Sequence, residues 1–261
     1  MRRLTVRTGD GAVLAVQEDG PEDGPALLLL PGQANSHAWW TGLRESFELT
    51  RRTITFDYRG TGTTAAAEAD WSTMSFAADA AHVLGSLGIR RADVYATSMG
   101  GRVAQMLALG SPGLVGRLVL ACTSPGGRHA VERSQSVRRA LADPDPAVRR
   151  ETLLDLMYTP AWRAPGRRSN LLGDPTMSPR AQALHLRASN GHDAGDRLGA
   201  IGSPTLVLHG EADLMVPVDN AHRLAEHIPG AVLETVPGGR HGFFDEFRDE
   251  VSPRVERFLQ E

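Results

Sequence analysis

Asp93-Val94-Tyr95-Ala96-Thr97-Ser98-Met99-Gly100 is the stretch whose reading decides the fold. Asp93–Ala96 is short and mostly apolar and reads as a buried strand. Met99, Val103, Met106 and Leu107 recur at helical spacing, which predicts a helix over Met99–Leu109 with one apolar face. A strand that leads straight into a helix makes a sharp turn, and a side chain at its apex is exposed. The residues two before and two after that apex must then be small, and here they are Ala96 and Gly100. Ser98 at the apex is a candidate nucleophile. A serine in such a turn can equally serve as a helix N-cap, so this stretch alone leaves both readings open.

Working outward, short apolar runs alternate with longer helical patterns. Strands are expected at Leu4–Arg7, Val13–Gln17, Ala26–Leu30, Thr53–Phe56, Asp93–Ala96, Arg117–Ala121, Thr205–Leu208 and Val232–Val236. Thr8-Gly9-Asp10-Gly11 predicts a hairpin between the first two. The later runs are nearly continuous in Leu, Val and Ile, as in strands buried on both faces of a parallel sheet. Further helices are expected at Ser75–Leu87, Val218–His227 and Phe243–Leu259. Such alternation predicts a doubly wound α/β domain.

One stretch departs from the alternation. From Gly126 to about Asp196 no strand is legible, and Arg, Pro and Ala are abundant. Leu153, Leu154, Leu156, Met157 and Tyr158 form its most apolar part, and Pro144, Pro146, Pro160, Pro165, Pro175 and Pro179 should break its helices. The expected organisation is a core of residues 1–125 and 197–261, with 126–196 inserted as a small helical cap over the carboxyl ends of the strands, where open α/β sheets bind ligands.

Two distant loops convert Ser98 into part of a constellation. Asp213 follows the Thr205–Leu208 strand in His209-Gly210-Glu211-Ala212-Asp213, and His241 follows the next strand in Pro237-Gly238-Gly239-Arg240-His241-Gly242. A serine hydroxyl is a poor nucleophile until a base within hydrogen-bond reach takes its proton. Histidine suits that task, and a carboxylate fixes its tautomer and stabilises the imidazolium. The order Ser, Asp, His, each at a strand's carboxyl end, assigns these three residues as a catalytic triad. Leu30-Pro31-Gly32-Gln33 follows the third strand, where a backbone N–H should join that of Met99 to receive an oxyanion. Pro31 has no N–H, so the donors expected are Gln33 and Met99, with Gly32 allowing close backbone approach.

With those motifs in place, the sequence resembles the α/β-hydrolase superfamily over essentially its whole length. Phe56-Asp57-Tyr58-Arg59-Gly60-Thr61-Gly62 is similar to the family's D-x-R-G-x-G loop. Ala96 departs from the usual glycine of the elbow, and Pro31 stands where many members have histidine. The resemblance implies a mostly parallel eight-stranded sheet flanked by helices, triad roles for Ser98, Asp213 and His241, and oxyanion roles for Gln33 and Met99. The Asp57–Gly62 loop is expected to be structural.

The implied activity is hydrolysis of a carboxylic ester or related acyl bond of a small molecule, without a cofactor or metal. Lactone, thioester and C–C (β-diketone-type) cleavage, perhydrolysis and natural-product cyclisation share the fold and remain alternatives, as does a ligand receptor that does not turn over. Ser98 argues against dehalogenase and epoxide-hydrolase chemistry, which uses an aspartate nucleophile in this fold. Trp39 and Tyr158 are candidates for the substrate pocket, although core packing also accounts for a tryptophan at 39 or 40. Phe243 and Phe244 should anchor the last helix. His185 and His192 lack the spaced partners of a metal site, His37 is expected at the surface, and Arg138, Arg139, Arg149 and Arg150 as solvated.

Composition narrows the field. The 261 residues are 41% hydrophobic and 23% charged, within the range of a globular protein, and the net charge of −3 offers no general pull toward nucleic acid or an anionic membrane. All 28 basic residues are arginine, which excludes a Schiff-base lysine. Cys122, the single cysteine, leaves no internal disulfide. Neither a secretory signal nor a membrane span is legible, and a cytoplasmic location is the expectation. Oligomeric state is not legible.

Overall fold

A computed structural model describes residues 1–65, 70–164 and 166–261; Pro165, expected to break a helix, lies outside them. Eight strands form one sheet: β1 (Arg2–Arg7), β2 (Val13–Asp19), β3 (Ala26–Leu30), β4 (Arg52–Phe56), β5 (Ala92–Thr97), β6 (Val115–Ala121), β7 (Thr205–Gly210) and β8 (Val232–Val236). Their order is β1-β2-β4-β3-β5-β6-β7-β8. The β1–β2 hairpin is antiparallel and β2 pairs antiparallel with β4, while every pairing from β4 to β8 is parallel. The eight expected strands are all present, most of them longer by one or two residues.

The helices are α1 (Glu45–Glu48), α2 (Thr73–Ser86), α3 (Met99–Gly110), α4 (Gln135–Leu141), α5 (Pro146–Met157), α6 (Pro179–Asn190), α7 (Asp219–His227), α8 (Phe243–Glu246) and α9 (Arg248–Gln260). None is long and apolar enough to cross a membrane. The central strands carry the burial that their sequences demand. Leu27 to Leu30 of β3 are fully covered, alternate residues joining the apolar clusters on opposite faces of the sheet. At roughly 1.5–3 kcal/mol for each buried large aliphatic side chain, that central strip is what orders the sheet.

Two expectations about the helices need correction. The single helix foreseen over Phe243–Leu259 divides at Phe247, whose backbone (φ −105°, ψ 33°) leaves the helical region. On one side of the division Phe244 packs against Trp39 and Trp40 and Phe243 packs edge-on to Phe244, while Val251, Val255 and Leu259 of α9 stay buried on the other. Pro146 and Pro179 start helices rather than breaking them. Each stands at the first turn behind a capping residue, Asp145 and Ser178, where a missing N–H costs nothing.

Connectivity places the site. From β3 the chain moves to β4 on one side, then crosses to β5 on the other and continues through β6, β7 and β8. The loops after β3 and β5 therefore leave in opposite directions, opening a crevice at the carboxyl edge. Among the described residues, the chain between β6 and β7 adds no strand to the sheet. Its ends meet in an isolated antiparallel bridge between Gly126 and Asp193, reinforced by Ala194 N–H donating to Pro125 O at 2.9 Å.

Candidate active site

The described non-glycine residues with left-handed backbone are Ala34 (φ 57°), Ser98 (φ 54°) and Cys122 (φ 43°), and they follow β3, β5 and β6 at the same edge of the sheet. Such strain costs on the order of 1–3 kcal/mol per residue and persists only where surroundings impose it. At Ser98 the surroundings are visible. Its N–H donates to Ala121 O (2.9 Å), and its carbonyl accepts from Gly101 N–H (3.0 Å) and Thr123 Oγ1 (2.7 Å).

The Ser98 hydroxyl makes no capping bond to α3, which removes the N-cap reading. Its Oγ lies 3.0 Å from Nε2 of His241, and Nδ1 of His241 lies 2.7 Å from Oδ2 of Asp213. The structure thus brings the three sequence-assigned residues into one hydrogen-bonded run. Ser98 is partly exposed, whereas His241 and Asp213 are buried. Asp213 Oδ1 accepts from the N–H groups of Met215 and Val216, both at 2.8 Å. Burial alone would raise the Asp213 pKa. The neighbouring His241, with hydrogen bonds from His209 and His241, outweighs burial and holds the carboxyl well below the usual carboxylate range. An ionised Asp213 keeps the His241 proton on Nδ1 and leaves Nε2 free to accept from the serine.

The histidine loop is fastened on both sides. Ala212 N–H donates to Gly239 O (2.9 Å), which ties it to the acid loop. On the other flank, His241 N–H donates to Leu156 O (3.1 Å) and Gly242 N–H to Met157 O (2.8 Å), using carbonyls that the end of α5 leaves open.

Across the crevice, the N–H groups of Gln33 and Met99 have no acceptor among the described residues. The Met99 N–H is one of the free donors at the start of α3, where the helix dipole favours negative charge. Gly32 does permit a close approach, but by a side chain: a Cβ there would lie 2.5 Å from the nearest ring atom of Trp39. Trp39 is buried beneath this turn and stacks on Phe244, with centroids 5.6 Å apart. It also borders a cavity of about 230 Å³ with Trp162, Arg168 and Arg248, and Ser98 is not part of that lining. Tyr158 is fully buried, stacked on Trp162 at 3.5 Å, with its hydroxyl donating to Asp245 at 2.7 Å.

Other histidines have definite places. His37, expected at the surface, is half-buried, because Asp57 Oδ1 accepts from both its Nδ1 and its backbone N–H. Asp57 also accepts from Thr63 N–H through Oδ2, which gives the Asp57–Gly62 loop its structural role. His185 and His192 are buried and hydrogen-bonded. The contacts of His185 were not foreseeable, because its partners, Ala34 and Arg59, are backbone atoms more than a hundred residues away. Arg139 and Arg150 are exposed, and Arg138 pairs with Glu132 at the surface.

Comparison with known proteins agrees with this architecture. The family model described as alpha/beta hydrolase fold matches residues 25–247. A protein of Variovorax paradoxus that goes by the name carbamate hydrolase RutD is 32% identical over 237 residues, covering 85% of this chain and 86% of the relative. A hydrolase from Pseudomonas aeruginosa superposes with a TM-score of 0.85 at 26% identity, covering 100% of this chain and 99% of its own. An esterase from Exiguobacterium antarcticum superposes at 0.87 with full coverage of both chains, its 21% identity bearing on the fold alone. The chain is a hydrolase and belongs to the alpha/beta hydrolase fold family.

Proposed function

We propose that this hydrolase cleaves a carboxylic ester or related acyl bond of a small molecule through an acyl-enzyme on Ser98. The observation that carries the reading is the run from Ser98 Oγ to His241 Nε2 at 3.0 Å and from His241 Nδ1 to Asp213 Oδ2 at 2.7 Å. It is supported by the Gln33 and Met99 N–H groups, which have no acceptor among the described residues. Ser98 attacks the carbonyl carbon as His241 takes its proton. The carbonyl oxygen becomes an oxyanion held by the N–H groups of Gln33 and Met99, and His241 then protonates the leaving group. Water, deprotonated by the same imidazole, attacks the acyl-enzyme and releases the acid and free Ser98. Residues 126–196 serve as a helical cap that shapes the substrate side, with Trp39 and Tyr158 supporting the pocket walls.

The relative named as a carbamate hydrolase favours a second substrate class, because a carbamate presents the same carbonyl to the same serine with nitrogen on one side. The test is Ser98→Ala assayed on a panel of short p-nitrophenyl esters, lactones and carbamates. The variant should fold as the parent does and lose turnover on whichever class the parent accepts. A fluorophosphonate should label Ser98 alone. Parental activity in Ser98→Ala, or labelling elsewhere, overturns the assignment.

A further inference from the structure

The turn after β3 offers two consecutive N–H groups, those of Gln33 and Ala34, and they meet different fates. Ala34 N–H donates to Nδ1 of His185, on α6, at 3.2 Å. Gln33 N–H has no acceptor among the described residues. Because a peptide N–H can only donate, Nδ1 of His185 must be the bare nitrogen. The ring proton is therefore on Nε2, which donates to Arg59 O at 2.9 Å. The imidazole is fully buried among the rings of Tyr58, Trp71 and Phe76.

The same turn is gripped from the 126–196 segment at two further points. Ala34 O accepts from Asp174 N–H at 2.7 Å, and Asn35 Oδ1 accepts from Gly173 N–H at 3.1 Å. Asn35 Nδ2 in turn donates to Gln33 O at 2.8 Å. These bonds hold Ala34 at φ 57°, a conformation that alanine does not keep unaided.

We infer that His185 is a positioning residue for oxyanion stabilisation: by taking the Ala34 N–H and anchoring to Arg59 O, it leaves the Gln33 N–H as the free donor of the turn. The inference rests on the proposed acyl-enzyme reaction and adds that α6, a helix of the inserted segment, sets the electrostatics of the reaction as well as covering it. A displaced donor forfeits much of its effect, since removing one outright costs about 10²–10³ in rate.

The experiment compares His185→Phe and His185→Asn with the parent on its best substrate and on a trifluoromethyl ketone, which forms a tetrahedral adduct on the serine. Asparagine can place Oδ1 where Nδ1 stood and accept from Ala34 N–H; phenylalanine cannot. Expected is a kcat lowered about tenfold or more in His185→Phe with KM nearly unchanged, an equal loss of affinity for the ketone, and partial recovery of both in His185→Asn. Equal kcat loss in both variants with ketone affinity unmoved assigns His185 to packing and overturns the inference. Should His185→Phe not fold, a His185→Asn of parental kcat and ketone affinity supports the acceptor role, and one that is equally impaired opposes it. Failure here is separable from failure of the acyl-enzyme reading, which Ser98→Ala tests independently.

Discussion

Gly100 packs its bare Cα against the Pro31 peptide: a Cβ there would lie 2.7 Å from the Pro31 carbonyl oxygen and closer still to that of Leu30. Helix α3 and the turn carrying Gln33 can approach each other only because position 100 lacks a side chain. Both obstructing atoms are backbone, so neither can rotate away. Gly100→Ala should therefore push the Met99 and Gln33 N–H groups apart, lowering kcat by tenfold or more and melting temperature by several degrees. Gly110, at the far end of the same helix, has open space for 4 Å around the position a Cβ would take and no left-handed φ. Gly110→Ala should leave kcat unchanged and stabilise by about 0.4–1 kcal/mol. Thermal melts and initial rates on the two variants check both halves of the contrast.

Much of this was legible beforehand because it depends on local pattern. Strands such as Ala26–Leu30 are continuous apolar runs, and the elbow around Ser98 requires small neighbours wherever it occurs. What escaped depends on tertiary partners. His185 reads as an isolated histidine in a helical segment, since its acceptor and donor contacts are to Ala34 and Arg59 backbone. The periodicity of Phe243–Leu259 continues through Phe247, and the break there accompanies the packing of Phe244 against Trp39 and Trp40, which the local pattern does not contain. Pro146 and Pro179 carry the same chemistry as a helix breaker and a helix starter, and the cap residues Asp145 and Ser178 decide which.

Arg240 joins the histidine loop to the end of α5. Its Nη1 donates to the Asp155 carboxylate at 2.8 Å, to Tyr158 O at 3.0 Å and to Asp155 O. The Asp155 carboxylate is more than half exposed, so the ion pair itself stabilises the fold little, about 0–1 kcal/mol. Its position matters more, because the adjacent His241 and Gly242 N–H groups depend on the Leu156 and Met157 carbonyls staying in place. Arg240→Ala should leave melting temperature within a few degrees of the parent while lowering kcat several-fold, with a smaller change in KM. Parental kcat would mean that the two backbone bonds hold the loop unaided. Asp155→Asn, which keeps an oxygen acceptor for Arg240, should be milder in the same assay.

Two buried histidines make stability depend on mild acid. Burial lowers the pKa of His185 to about 4, opposed by its bond to Arg59 O. It lowers that of His192 to about 3, assisted by the charges of Arg102 and Arg197, which face it. In the unfolded chain both titrate near pH 6.5. Below that pH the unfolded state takes up protons that the folded state refuses, so stability is full above about pH 6.5. It is lost progressively as pH falls toward the folded values. Between pH 7 and pH 5 each group should cost on the order of 2 kcal/mol. The check is the urea midpoint of the parent and of His192→Gln at the two pH values. Glutamine can still bond to Thr73 and Gln105, the present partners of His192, so the variant should fold and lose less stability on acidification than the parent. An equal loss in both proteins would show that His192 is not held neutral by its surroundings.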